Sequence, residues 1–114
     1  MPINICLACR NLEQTRNSYQ ALEGFETFDS EMNTCTVQFE DCTFIFFESG
    51  PDDPPPSFTG TFYLFVDDVE RCWATLQATS EVEWPLQNMS YGTREFAIKD
   101  CNGYRLAFAQ SNST

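Results

Sequence analysis

The sequence contains no histidine, so acid–base, nucleophilic or metal chemistry must fall on carboxylates, thiols and phenols. Strand alternation places two carboxylates on the faces away from the helices: Glu48, which closes "TFIFFE", and Glu95, inside "TREFAI". A carboxyl between aromatic walls holds its proton more tightly and can serve as a general acid or base, with Tyr63 as a phenolic alternative. A thiol becomes a nucleophile only beside a positive group, and the candidate pair is Cys6 with Arg105. "CLAC" has CxxC spacing, but it lies in an apolar strand. Alternation sends Cys6 and Cys9 to opposite faces, where they cannot share a zinc ion. The six cysteines, at 6, 9, 35, 42, 72 and 101, are expected as reduced thiols that pack as small hydrophobes.

Ring faces are the other chemical resource. Aromatics make up 15% of the chain, and most are Phe. A cation over such a ring gains about 0.5–2 kcal/mol. The net charge is −11, from 17 acids against 6 bases. A field of that sign attracts cationic ligands and repels nucleic acid and anionic membranes.

These groups must be positioned by a small fold. A chain of 114 residues makes one domain, with a core that dimerisation would help. A hydrophobic share of 42% excludes disorder. No apolar run reaches the ~18 residues of a membrane span, and "MPINICLACR" has no basic stretch before an apolar one, so the expected location is cytoplasmic.

The elements come in two similar sets. "PINICLAC" alternates and reads as a strand from Pro2. "NLEQTRNSYQALEGF" reads as a helix with Asn11 as N-cap, Leu12, Thr15, Tyr19 and Leu22 on one face, and Gly24 as its end. "NTCTVQFED" and "CTFIFFES" read as strands joined at Asp41–Cys42. The proline-rich "GPDDPPPS" is a linker. Then "GTFYLFVD" is a strand, "DVERCWATLQATSEV" a helix capped by Asp68, and "SYGTREFAIKD" and "GYRLAFAQ" strands joined through Gly103. Leu12 matches Val69 and Glu13 matches Glu70 in this internal repeat. The reading is an α+β single domain with a first module at about 1–50, a linker at about 50–58 and a second module at about 59–110.

Alternation assigns faces. Ile5, Leu7, Val37, Phe39, Ile45 and Phe47 are expected under the first helix, and Phe62, Leu64, Phe96, Ile98, Leu106 and Phe108 under the second. That leaves Asn4, Cys6, Phe44, Phe46, Glu48, Thr61, Tyr63, Phe65, Glu95, Ala107 and Arg105 on faces of mixed character, which suit a ligand cleft, a second and less apolar core, or a dimer interface. "TFIFF" also reads as a strand buried on both faces, with Phe44 and Phe46 as core. Trp84 and Tyr91 fall in the long segment that leads into "TREFAIKD", from which they could close over a ligand.

The duplicated plan, with "DDVERCWATLQ" and "YGTREFAIKDCNGYRLAF", resembles the glyoxalase/bleomycin resistance/dioxygenase superfamily, also called vicinal oxygen chelate, over essentially the whole chain. The second stretch is especially similar to the bleomycin resistance proteins, with Cys101 and Tyr104 departing from the usual turn residues. The resemblance implies four strands per half, βαβββ modules curved around a cleft, and a homodimer. Its metal-using members hold the ion at four strand positions that map here to Asn4, Phe46, Thr61 and Ala107. None of these is an imidazole or carboxylate, so no metal and no cofactor are expected.

Three functions follow as expectations. The first is a metal-free binding protein that sequesters a cationic, planar aromatic ligand such as a bleomycin-type antibiotic. Phe44, Phe46, Tyr63, Phe65, Trp84 and Tyr91 would supply rings, Glu48 and Glu95 the counter-charge, and Arg105 a further contact. The alternative is a small-molecule lyase, isomerase or dioxygenase-like enzyme using Glu48, Glu95, Tyr63 or Cys6, or a non-standard metal site. A scaffolding role for the dimer is a third. The expected partners are a small cationic molecule and a second copy of the chain, with neither nucleic acid nor membrane.

Overall fold

The computed structural model describes residues 4–30 and 32–111. Pro2 and Ile3, the start of the expected first strand, lie outside the described residues. The chain order is β1 (Asn4–Cys9), α1 (Leu12–Gln20), β2 (Glu26–Ser30), β3 (Thr34–Phe39), β4 (Cys42–Glu48), β5 (Phe62–Phe65), α2 (Val69–Leu76), β6 (Glu81–Asn88), β7 (Thr93–Lys99) and β8 (Arg105–Ser111). These divide into two compact units, Met1–Ser57 and Phe58–Thr114. Each is a four-stranded mixed sheet with one helix, in the order β1-β4-β3-β2 and β5-β8-β7-β6. The first and last long strands of each unit run parallel, and the other pairs are antiparallel. No described helix is long and apolar enough to cross a membrane.

Local chemistry explains the helices. Asn11 Oδ1 accepts from Gln14 N at 2.8 Å, and Asp68 Oδ1 accepts from Arg71 N at 3.2 Å. Each satisfies one of the orphan amides of a first turn. A further bond ties each helix to its sheet. Leu12 N donates to Glu48 Oε2 at 3.0 Å, and Val69 N donates to Gln110 Oε1 at 2.9 Å. Gly24 follows α1 at φ +93, where a side chain would meet Phe39 at 2.9 Å, and Gly103 sits at φ +89 in the last turn.

Four expectations change. The helix expected over "DVERCWATLQATSEV" stops at Leu76, and Glu81 already starts β6. Trp84 is therefore a strand residue. Strands β2 and β6 lack a clean alternating signal: "ETFDS" is mostly polar and exposed, and β6 carries Pro85 and two register shifts. Proline is tolerated there because β6 is an edge strand.

The third change is small and has the largest effect. The hairpin between β3 and β4 turns at Glu40–Asp41, with Phe39 paired to Cys42 and Glu40 at φ +50, rather than at Asp41–Cys42. Because the side-chain period is two, this shift reverses the faces of β4. Phe44 and Phe46, 1% and 0% exposed, lie on the helix side, while Phe47 is 40% exposed on the other. Phe46 packs against Tyr19 of α1 at 5.4 Å between ring centroids.

Fourth, the reversal changes how the halves match. Leu7 pairs with Phe46, and its repeat Leu64 pairs with Phe108. Phe46 is thus the counterpart of Phe108, and Ile45 is the counterpart of Ala107. In the second unit the expected faces hold: Trp73 of α2 meets Phe96 at 5.1 Å, and Phe96 stacks on Phe108 at 5.1 Å.

Candidate functional site

The register of the second sheet arranges its chemistry in rows on the face turned away from α2. One row holds Tyr63, Ala107, Ala97 and Trp84, in that order across β5, β8, β7 and β6. Two aromatic side chains thus stand either side of two alanines, about 14 Å apart at their backbones for strands spaced about 4.8 Å. The next row in one direction carries Phe65, Ala109, Glu95 and Gln87, and in the other direction Arg105 stands opposite Lys99. Ala97, Ala107 and Ala109 are fully buried. A ligand therefore meets the rim first, where Tyr63, Phe65 and Tyr91 are 41%, 65% and 62% exposed.

Glu95 is the centre of this rim. Its side chain is fully buried yet accepts three hydroxyls: Thr93 at 2.6 Å and Tyr91 at 3.0 Å on Oε1, and Tyr63 at 3.1 Å on Oε2. The two phenol oxygens are 3.3 Å apart. These bonds make burial of the carboxyl tolerable. They also leave it one further acceptor position, because a carboxylate offers about four. The phenol of Tyr63 is pushed well above its ordinary value by its bond to Tyr91, then by burial and the bond to Glu95. It keeps its proton at neutral pH and acts as a donor. The rings of Tyr63 and Phe65 stack at 28° to one another with their centroids 6.3 Å apart.

A second cluster lies beyond the alanines. The Arg105 guanidinium stands 5.8 Å from the centroid of Trp84 and donates to Glu83 Oε1 at 3.1 Å and Thr61 Oγ1 at 3.4 Å. Lys99 Nζ lies 3.7 Å from the other Glu83 oxygen. Glu81 stands opposite Lys99 in register.

In the first unit, the site residues read from sequence fall differently. Phe44 and Phe46 are core, and Glu48 ties down the start of α1. The off-by-one turn put all three on the wrong face. Asn4 and Cys6 do lie opposite α1 and are exposed. All six cysteines are free thiols. Arg105, the positive neighbour suggested for Cys6, is engaged by Glu83 and Thr61 within its own unit.

Of the other sequence-read residues, the structure brings Tyr63, Tyr91 and Glu95 together and sets Arg105 on Trp84. Sequence reasoning missed Thr93 and Glu83. Thr93 precedes Glu95 by two, so strand alternation alone places it on the same face. Glu83 lies in an irregular stretch of β6 between Val82 and Trp84, where alternation gives no signal.

The superfamily's metal does not fit these residues. With β4 corrected, the first unit offers Asn4 and Ile45 at the corresponding positions, and the second offers Thr61 and Ala107. Ile and Ala donate nothing, and amide or hydroxyl oxygens are weak ligands. Among the described residues, no group of three His, Cys, Asp or Glu side chains is arranged to hold an ion.

The profile of the Glyoxalase/Bleomycin resistance protein/Dioxygenase superfamily matches residues 4–108. Among solved structures, a superfamily member from Alicyclobacillus acidocaldarius is similar at TM-score 0.80 and 15% identity, over 99% of this chain and 92% of that one. A member from Sphaerobacter thermophilus reaches TM-score 0.78 at 17% identity, over 97% of both chains. TioX from Micromonospora sp. ML1 reaches TM-score 0.78 at 16% identity, over 97% of this chain and 98% of that one. At such identities the likeness speaks for the fold alone. No curated protein matches the chain. With a profile that runs through nearly every described element, the chain belongs to the glyoxalase/bleomycin resistance protein/dioxygenase superfamily.

Proposed function

We propose that the protein binds and sequesters a planar organic cation, of the kind that includes bleomycin-type antibiotics, on the outer face of its second sheet and without a metal ion. The observation that carries this reading is the buried Glu95 carboxylate ringed by the exposed aromatics Tyr63, Tyr91 and Phe65. A cationic N–H reaches the buried Glu95 carboxylate when the exposed phenols of Tyr63 and Tyr91 swing aside, and its ring system then lies against them. The net charge of −11 raises the local concentration of such a ligand. The alternative of a metal-free enzyme has less support. Tyr63 holds its proton too tightly to be a base near neutrality, and Glu95 is already held by three hydroxyls. A homodimer belongs to the proposal, with light scattering as its test: one chain mass at micromolar concentration would remove it.

A thermal-shift panel tests the reading. It contains planar organic cations, a bleomycin-type glycopeptide, glutathione conjugates and divalent metals. A ligand at about 100 times its dissociation constant adds about 2.7 kcal/mol of stability. Shifts with planar cations and none with metals are expected. Shifts with Ni, Zn, Mn or Fe alone contradict the proposal.

A further inference from the structure

Resting on the cation-binding reading above, we infer that the ligand is amphoteric: opposite the positive end that meets Glu95 it carries a carbonyl or carboxylate oxygen that is received by Arg105 and Trp84. Two unpaired donors lead to this. Arg105 Nε and Trp84 Nε1 are both buried and have no hydrogen-bond partner. They belong to the two side chains that lie one over the other, 5.8 Å from guanidinium to ring centroid. An unmet buried donor costs about 1–3 kcal/mol, and such groups are uncommon in native proteins. Two on adjacent side chains of one sheet face mark a place where an acceptor is missing.

The surrounding groups agree. Glu83 takes one bond from the Arg105 terminal nitrogens and Thr61 another, so Nε is left over after the local acceptors are used. Glu83 shares its second oxygen with Lys99, and Glu81 faces Lys99 in register. The nearby carboxylates thus bear on Lys99 and on the outer end of Arg105. The Arg105 side chain is 38% exposed, so the guanidinium can move to admit an oxygen that its resting position shields.

Register sets the dimensions. Glu95 and Lys99 are both on β7, and Arg105 pairs with Lys99. Four residues of antiparallel strand span about 13–14 Å. That separation is of the order of a two- or three-ring system with a polar group at each edge. Ala97 and Ala107 hold the row between the two ends and are fully buried, so the exposed side chains at the rim must move for a ligand to reach both. A simple cation satisfies only the Glu95 end. A planar molecule with an acceptor at its far edge satisfies both.

The test uses a matched fluorescent pair, 9-aminoacridine and its 2-carboxylate, with the 2-carboxamide as a neutral acceptor. Each is titrated against the full chain in moderate salt. The wild type is expected to bind the 2-carboxylate roughly ten-fold tighter than the parent, as a charge-assisted bond predicts. The carboxamide falls between them if a neutral carbonyl is accepted. Arg105→Met should bring the ratio of the two affinities to about one, whatever happens to either affinity alone. Trp84→Phe, which keeps a ring and removes the N–H, should reduce the ratio by about three-fold. Thermal unfolding confirms that each variant is folded. If the wild type binds both probes equally, or the preference survives in both variants, the inference is overturned and cation binding stands. If neither probe binds the wild type, the cation-binding reading fails, and this inference fails with it.

Discussion

The two units share their construction and differ in what they display. Both use the same strand order, the same N-cap position and the same bond from the last strand to the first helical amide. Both pack large aromatic side chains between helix and sheet. Their outer faces diverge. The first unit shows Asn4, Cys6, Ile45, Phe47 and Thr36, and its charge on this face is confined to Glu26 on the edge strand β2. The second shows Glu95 with its three hydroxyls and Arg105 with Glu83. Buried positions and caps preserve the scaffold, whereas the face away from the helix is free to take on chemistry.

The largest expected effect breaks the first unit and spares the second. Phe46→Ala empties a fully buried position beside Tyr19 and should cost about 3–5 kcal/mol in denaturant unfolding. Affinity for a planar cation in the folded fraction should change little. Loss of binding with little loss of stability would place β4 on the opposite face.

Glu95→Gln should do the converse. It removes the charge that meets the ligand and should weaken binding by ten-fold or more, with a stability cost of about 1–3 kcal/mol from the hydroxyls it disturbs. Equal affinity in titrations of wild type and variant would remove Glu95 from the site.

The paired caps sharpen the likeness. Glu48→Ala and Gln110→Ala should each cost about 0.5–2 kcal/mol, because each frees one first-turn amide. At low salt the Glu48 change should cost slightly more, since its charge also favours the helix start. Adding salt should erase that difference in urea midpoints.

The smallest effect is electrostatic. The phenol of Tyr63 is raised in the folded state, so folding favours its protonated form. Its contribution to stability is whole below the ordinary tyrosine value near 10 and is lost as pH climbs above it. Urea midpoints should therefore fall above pH 10 in wild type and less steeply in Tyr63→Phe. Parallel curves would show that the Tyr91 and Glu95 contacts do not hold in solution.

Much of this was legible in the sequence because two of its rules are local. Asn11 and Asp68 announce helix starts through their own side chains, and Gly103 announces a turn through its backbone. Alternation placed Tyr63, Phe65, Glu95 and Arg105 on one face correctly. The turn after Phe39 was the weak point. Glu40 takes positive φ without being Gly or Asn, so nothing in "FEDC" marks it, and one residue of error moved Phe44, Phe46 and Glu48 across the sheet. Strand β6 stayed hidden because Pro85 and its register shifts interrupt the alternation. The bonds of Thr93 and Tyr91 to Glu95 depend on how side chains converge, which the pattern does not encode.

The most direct test is a fluorescence titration of 9-aminoacridine into protein treated with a chelator, beside Glu95→Gln. Binding to each chain with the same affinity before and after chelation, weakened ten-fold or more in the variant, is the predicted result. Binding that appears only when a divalent metal is added, or that is identical in Glu95→Gln, would contradict the account.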